Sequence, residues 1–203
     1  MPTDDKPTAA RLGWRRLDTT YPFESPWFRL RQDRLRVRDD EEITYAYLEE
    51  PPGVLVVPLT ADGQIVLVEQ YRYTIDAWCL QVPAGGTHDA DGRALEEVAR
   101  KELEEELGAT CGALQHLGAF HPSLARTNAQ SHVYLARDVV LRHRPEPETG
   151  EAIRVRPLPA REALALARSG RLADGQTALA LLWCAPLLDH PDQGVPGDPA
   201  APP

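Results

Sequence analysis

The sequence predicts an α+β fold or an α/β sandwich, mixed sheet and helix with a strand-rich first part. Three observations point there. Short runs of β-branched and aromatic residues, bounded by Pro, Gly and Asp, crowd the first part of the chain. One amphipathic helix, Ala94 to Leu107, is stopped by Gly108. Two more helical stretches close the sequence, and no segment repeats another.

Along the chain, Trp27 to Val37 and Ile43 to Leu48 read as extended segments, the second alternating as ITYAYL. Pro51-Pro52-Gly53 breaks the pattern. Val54 to Leu59 and Gln64 to Tyr71 are apolar runs joined through Ala61-Asp62-Gly63, a combination that predicts a hairpin. Trp78 to Val82 is a short strand ended by Pro83 and Gly85-Gly86. A polar loop leads to the Ala94 helix, with Gly108 at the position favoured for a C-cap. Strands are expected near Ala113 to Phe120, Ser131 to Arg137 and Ala152 to Pro157, and helices at Ala160 to Ser169 and Gly175 to Leu188. The organisation is a flexible tail (1–13), an N-terminal strand region (14–52), the main domain (53–188) and a flexible Pro-rich tail (189–203).

Composition narrows the function classes. With 203 residues, 42% of them hydrophobic and 26% charged, the chain is long enough for one well-buried domain with a small extension. A net charge of -9 argues against a general nucleic-acid binder, which needs a basic face to displace counterions. Three cysteines without CxxC spacing, Cys79, Cys111 and Cys184, point to reduced thiols and not to a disulfide framework or zinc site. No apolar run has the length of a signal peptide or a bilayer span, so a cytoplasmic protein without a membrane partner is expected.

The chemistry sits on the Ala94 helix, ALEEVARKELEEELG. Leu95, Ala99, Leu103 and Leu107 recur every fourth residue and mark its buried stripe. Glu102 and Glu106 share one face at the border of that stripe, with Glu105 beside them. Glu104 to Glu106 fill the last turn, where each acid opposes the helix dipole at a cost of about 0.3–1 kcal/mol. A divalent cation bridging the carboxylates would reverse that penalty, and hard oxygen ligands suit Mg²⁺ or Mn²⁺. A solvated acidic helix face is the alternative.

The surrounding residues resemble a known family. Gly85 to Ala109, ending in Lys101-Glu102-Leu103-Glu104-Glu105-Glu106-Leu107-Gly108-Ala109, is similar to the Nudix box. Upstream, Glu69-Gln70-Tyr71-Arg72-Tyr73, then Trp78, then Val82-Pro83-Ala84-Gly85, resembles the lead-in of the ADP-ribose pyrophosphatase and nucleotide-sugar hydrolase branch. Downstream, Phe120-His121-Pro122-Ser123, Ser131 to Ala136 and Leu172-Ala173-Asp174 follow in the same order. Two positions depart from the box: Arg93 stands where its first glutamate falls, and Lys101 where it has arginine. Lys101 still lies four residues from Glu105 and can pair with it, without the two-pronged grip of a guanidinium.

The resemblance implies a Nudix-type α/β/α sandwich and a Mg²⁺-dependent hydrolase of a nucleoside diphosphate sugar. The leading substrate is ADP-ribose, cut to AMP and ribose 5-phosphate. It further implies metal ligation by Glu102, Glu105, Glu106 and the Ala84 carbonyl, with the metal neutralising diphosphate oxygens and acidifying a water. Arg72 is the implied phosphate contact. Trp78 reads first as a core aromatic, since a lone aromatic after a hairpin is more often core, with stacking on the nucleotide as the alternative. Tyr45 and Arg126 are further substrate-binding candidates. The general base is expected from the acidic loop after the box, at Glu151 or Glu148, with Glu105 assisting catalysis. A homodimer sharing its N-terminal strands is also implied. Other diphosphates, such as a GDP-sugar or a dinucleoside polyphosphate, and a non-catalytic nucleotide-sensing module remain as alternatives. The six histidines show no metalloprotease-like spacing, and Gly85-Gly86 lacks the continuation of a phosphate loop.

Overall fold

The computed structural model describes residues 6–38, 41–88, 92–146 and 149–189. The chain divides into two compact units, one of which takes Gly86–Arg93 and Ala119–Ser131 together with the N-terminal residues to Gly53.

The N-terminal unit opens with a short helix, α1 (Pro7–Arg11), inside the segment expected as a tail. Its sheet has three antiparallel strands, β1 (Arg15–Glu24), β2 (Arg29–Arg36) and β3 (Glu42–Glu49), in that order. Strand β1 is absent from the sequence expectation because RRLDTTYPFE shows no apolar alternation and contains Pro22. The register shifts between Thr20 and Phe23, so Pro22 sits at an irregularity on an edge strand, where its missing N–H breaks no ladder. This sheet is held by paired charge as much as by apolar contact. Arg31, 4% exposed, donates from Nε to Asp33 at 2.9 Å and from Nη1 to Glu49 at 3.1 Å. Thr19 Oγ1 donates to the same Asp33 at 2.7 Å.

The second unit carries the apolar core. Its main strands are β4 (Gly53–Pro58), β5 (Gln64–Arg72), β6 (Ala77–Gln81), β7 (Ala84–Gly86), β9 (Ala113–Phe120), β10 (Ser131–Arg137) and β12 (Ile153–Pro159). They form two sheets, ordered β7-β4-β10-β9 and β12-β5-β6. Two-residue strands β8 (Ala109–Thr110) and β11 (Val140–Leu141) pair with each other. The helices are α2 (Leu95–Leu107), α3 (Ala160–Arg168) and α4 (Gly175–Asp189). α2 and α3 both pack on β5 and β12, and α4 packs on α3. The predicted α+β class, with helices laid on a layered sheet, is the observed one.

The expected hairpin between β4 and β5 forms only at its turn. Thr60 N–H reaches the Gln64 carbonyl at 2.9 Å, and Leu59 bridges Ile65. Beyond that bridge the strands part. Both edges of β4 are taken by β7 and β10, and both edges of β5 by β12 and β6. The runs are apolar at successive positions, not alternating. Val54 to Val57 and Ile65 to Val68 are all buried, as strands covered on both faces must be.

Helix α2 starts with Ala94 N–H donating to the Glu97 carboxylate at 3.2 Å. Its buried residues are Val98, Ala99, Glu102, Leu103, Glu106 and Leu107, so Val98 replaces the expected Leu95, which lies half-buried at the helix start. Asp174 caps α4 by accepting from the Gln176 and Thr177 N–H groups. Thr177 Oγ1 in turn accepts from the Val82 N–H at 3.1 Å, tying α4 to the end of β6. Cys79, Cys111 and Cys184 are free, and burial pushes the Cys184 thiol up to about 12. Among the described residues no helix is long and apolar enough to cross a membrane.

Gly108 ends α2 with φ +61° and donates to the Glu104 carbonyl at 2.8 Å. A Cβ there would overlap the His143 carbonyl. Gly108→Ala is expected to destabilise the protein by about 2 kcal/mol or more, combining the left-handed penalty with that overlap. Thermal unfolding should show a drop in Tm of roughly 4–8 °C.

Candidate active site

Two glutamates one helical turn apart face inward from α2. Glu102 is 9% exposed and Glu106 is 3% exposed. They border the apolar stripe, so packing of Leu103 and Leu107 draws both carboxylates out of water. The Glu106 carboxyl is held well above its ordinary value of 4.5, first by burial, then by the charges of Glu102 and Glu151. The Arg72 charge and a backbone hydrogen bond from Ala84 act the other way. One oxygen of Glu106, Oε2, is buried with no hydrogen-bond partner. Strand β7 approaches the pair closely. A Cβ at Gly85 would overlap the Glu102 carboxylate, so a larger residue there would push that side chain aside.

Strands β5, β6 and β12 supply the remaining groups. Arg72, at the end of β5, donates from Nε to Gln81 Oε1 at 2.6 Å, which aims its guanidinium. Gln70, buried two residues earlier, donates to Glu151 Oε1 at 3.0 Å. Glu151 lies just before β12, whose Ile153 pairs with Gln70. Sequence reasoning missed Gln70 and Gln81 as positioning groups. For Gln70 the signal available was its place two residues from Arg72 on the same strand, since alternate residues of a strand share a face; Gln81 comes from the neighbouring β6 and left no such signal. Trp78 is 43% exposed, which removes the core reading. The Arg154 guanidinium lies over its ring at 3.9 Å, and the Tyr71 ring stands 6.1 Å away.

Other expected residues stand differently. Glu105 pairs with Lys101 at 2.9 Å, so the lysine makes the contact that the box leaves to arginine. Glu148 lies outside the described residues. Tyr45 and Arg126 belong to the N-terminal unit. Arg126 is exposed in the turn closed by Thr127 N–H on the Ser123 carbonyl. Tyr45 packs edge-on against Tyr47 and lines a cavity of about 970 Å³ with Tyr21, Arg29 and Arg31.

Among the described residues no three His, Cys, Asp or Glu side chains already converge as a complete metal cage. The residues nevertheless fit a hard cation: two buried carboxylates repel each other, one of their oxygens is orphaned, and the donors are all oxygen.

An acidic helix is laid on a layered sheet with a glycine strand against its carboxylates, and comparison with known proteins identifies the family. The fold is similar to that of a solved ADP compounds hydrolase, with a TM-score of 0.75 at 18% identity over 88% of this chain and 96% of that one. The NUDIX domain model matches residues 49–178, well over half of the chain, and the protein belongs to the Nudix family, as a Nudix hydrolase of the ADP-ribose pyrophosphatase branch. It is 32% identical to an ADP-ribose pyrophosphatase of Bacillus subtilis (strain 168) over 137 residues, covering 67% of this chain and 73% of that one. It is 30% identical over 142 residues to a CMP-5'-(N-acetyl-N-hydroxy-3-aminopropyl)phosphonate hydrolase of Streptomyces rubellomurinus (strain ATCC 31215), covering 70% and 68%.

Because the folded protein raises the Glu106 carboxyl, it binds a proton more tightly than the unfolded chain. That contribution to stability is fully present below pH 4.5 and is lost as pH rises through the folded value. Glu106→Gln is therefore expected to stabilise the metal-free protein at pH 8 by about 1 kcal/mol or more, some 2–4 °C in Tm. Thermal melts from pH 8 down to pH 5 should show the gap closing.

Proposed function

We propose that the protein is a Mg²⁺-dependent hydrolase of nucleoside diphosphate sugars, with ADP-ribose cut to AMP and ribose 5-phosphate as the leading reaction. The observation that carries this reading is the orphaned Oε2 of Glu106 buried beside Glu102. Such an atom costs free energy until a hydrogen bond, a proton or a cation satisfies it, and a cation satisfies both carboxylates at once. Similarity to the B. subtilis ADP-ribose pyrophosphatase supports the substrate class.

In this reading Glu102, Glu106 and the Ala84 carbonyl hold the metal, with Glu105 as a further ligand once it leaves Lys101. When bound, the cation neutralises the diphosphate and acidifies a water. Arg72, aimed by Gln81, binds a phosphate oxygen and removes charge from the leaving side. Glu151, oriented by Gln70, takes the proton of the attacking water, with Glu148 as the second candidate. Trp78 offers its exposed face to the base or ribose, and Tyr45 and Arg126 are candidates for further substrate contacts. We place the protein in the cytoplasm as a homodimer joined through its N-terminal strand region (14–52), with the hydrolase domain at 53–188.

Product analysis with ADP-ribose, GDP-mannose, UDP-glucose and a dinucleoside polyphosphate, each with Mg²⁺, Mn²⁺ or chelator, tests the reading. Metal-dependent release of a nucleoside monophosphate, falling at least about 100-fold in Glu106→Gln, is the expected result. Nucleotide binding without turnover of any of the four would make the protein a sensor.

A further inference from the structure

A second constellation lies away from the carboxylates, where β9 and β10 run side by side. His116 on β9 and His132 on β10 bring their imidazoles together, Nε2 to Nδ1, at 3.2 Å. The ring centroids are 5.4 Å apart with the planes 32° from each other. Beneath them is the buried ring of Tyr134, whose centroid is 5.0 Å from that of His116. The hydrolase reading uses none of these three residues.

Two imidazoles that share a hydrogen also have the spacing for sharing a metal. With Zn–N bonds of about 2.0–2.1 Å and a tetrahedral angle, two nitrogens on one ion stand roughly 3.3–3.4 Å apart. The observed 3.2 Å lies within about 0.2 Å of that bite, so turning the two rings is the main adjustment an ion would require. We propose that His116 and His132 form an accessory site for a first-row transition-metal ion, Zn²⁺, Ni²⁺ or Cu²⁺, distinct from the carboxylate site.

The binding step is simple. Both rings ligate as neutral imidazoles, so the ring that donates the shared hydrogen passes to its other tautomer and each ring presents a lone pair to the ion. Water completes the coordination on the open side, because His116 is exposed. Burial and the neighbouring His116 hold His132 below the usual imidazole range, which keeps its lone pair available at neutral pH. Glu96, in the first turn of α2 and paired with Arg100 at 2.9 Å, is near enough for its charge to help raise the Tyr134 phenol, burial being the larger cause. Imidazole ligands also separate this site from the other one: Mg²⁺ prefers oxygen donors, whereas affinity for nitrogen rises along the first row towards Cu²⁺.

The test is calorimetric titration with Zn²⁺ of the full chain carrying Glu102→Gln and Glu106→Gln, which removes the carboxylate site that would compete for the ion. One equivalent of Zn²⁺ should bind, with affinity falling at least tenfold in His116→Ala and in His132→Ala and unchanged in Cys111→Ser. Nitrogen-detected NMR of the unsubstituted protein should show both imidazoles shifting together on Zn²⁺ addition, whatever the variants do to folding. Unshifted imidazoles, an affinity in both histidine variants unchanged from that of the histidine-intact protein, or loss confined to Cys111→Ser would each overturn the site.

Discussion

Burying Glu106 beside Glu102 opposes folding, and the rest of the second unit is arranged so that it happens anyway. Leu103 and Leu107 lie on the same helical stripe, fully inside the core. Their packing cannot be kept without carrying the two carboxylates inward, since residues three and four apart share a face. Strand β7 then presses a glycine against one carboxylate, and Arg72 brings a compensating charge from β5. The helix is thus a device for holding acids where water would not leave them. Electrostatic energy stored in this way is available to whatever neutralises it.

The two units use different means of cohesion. In the second, β4 and β5 are apolar along successive residues and are enclosed by strands on both edges. In the N-terminal unit, Arg31 and Asp33 are also buried, and they are tolerated because each is paired. Removing one partner of such a pair leaves an uncompensated charge and costs far more than the pair itself contributes. The aromatic residues there, Tyr21 and Tyr47, lie against Arg29 and Arg31, so even the rings serve the charges.

Much of this was legible in advance, and the exceptions have physical reasons. The boundaries of α2 follow from its fourth-residue periodicity and from Gly108, because the left-handed C-cap leaves a local signature. The burial of Glu102 and Glu106 is readable from their angular position beside that stripe. Strand β1 is not readable, because an edge strand with Pro22 and mostly exposed residues lacks any alternation. The parting of β4 from β5 is equally hidden: Asp62-Gly63 specifies a turn, while the partners of each strand lie far away in sequence. Trp78 is the instructive case at the site. A single aromatic after a turn carries no directional information, and only the stacking of Arg154 from β12 shows which way it faces.

The parting of β4 and β5 also bears on how the chain is made. β5 is the central strand of its sheet, with β6 following at once and β12 arriving only when Ile153 meets Gln70. At synthesis rates of about 5–20 residues per second, that interval leaves one edge of a strongly apolar strand open for roughly 4–17 s on the ribosome. Gln64 to Tyr71 combines high β-propensity with a single charge, the composition of a self-associating segment. That edge stays open to pairing with another chain until β12 has been made.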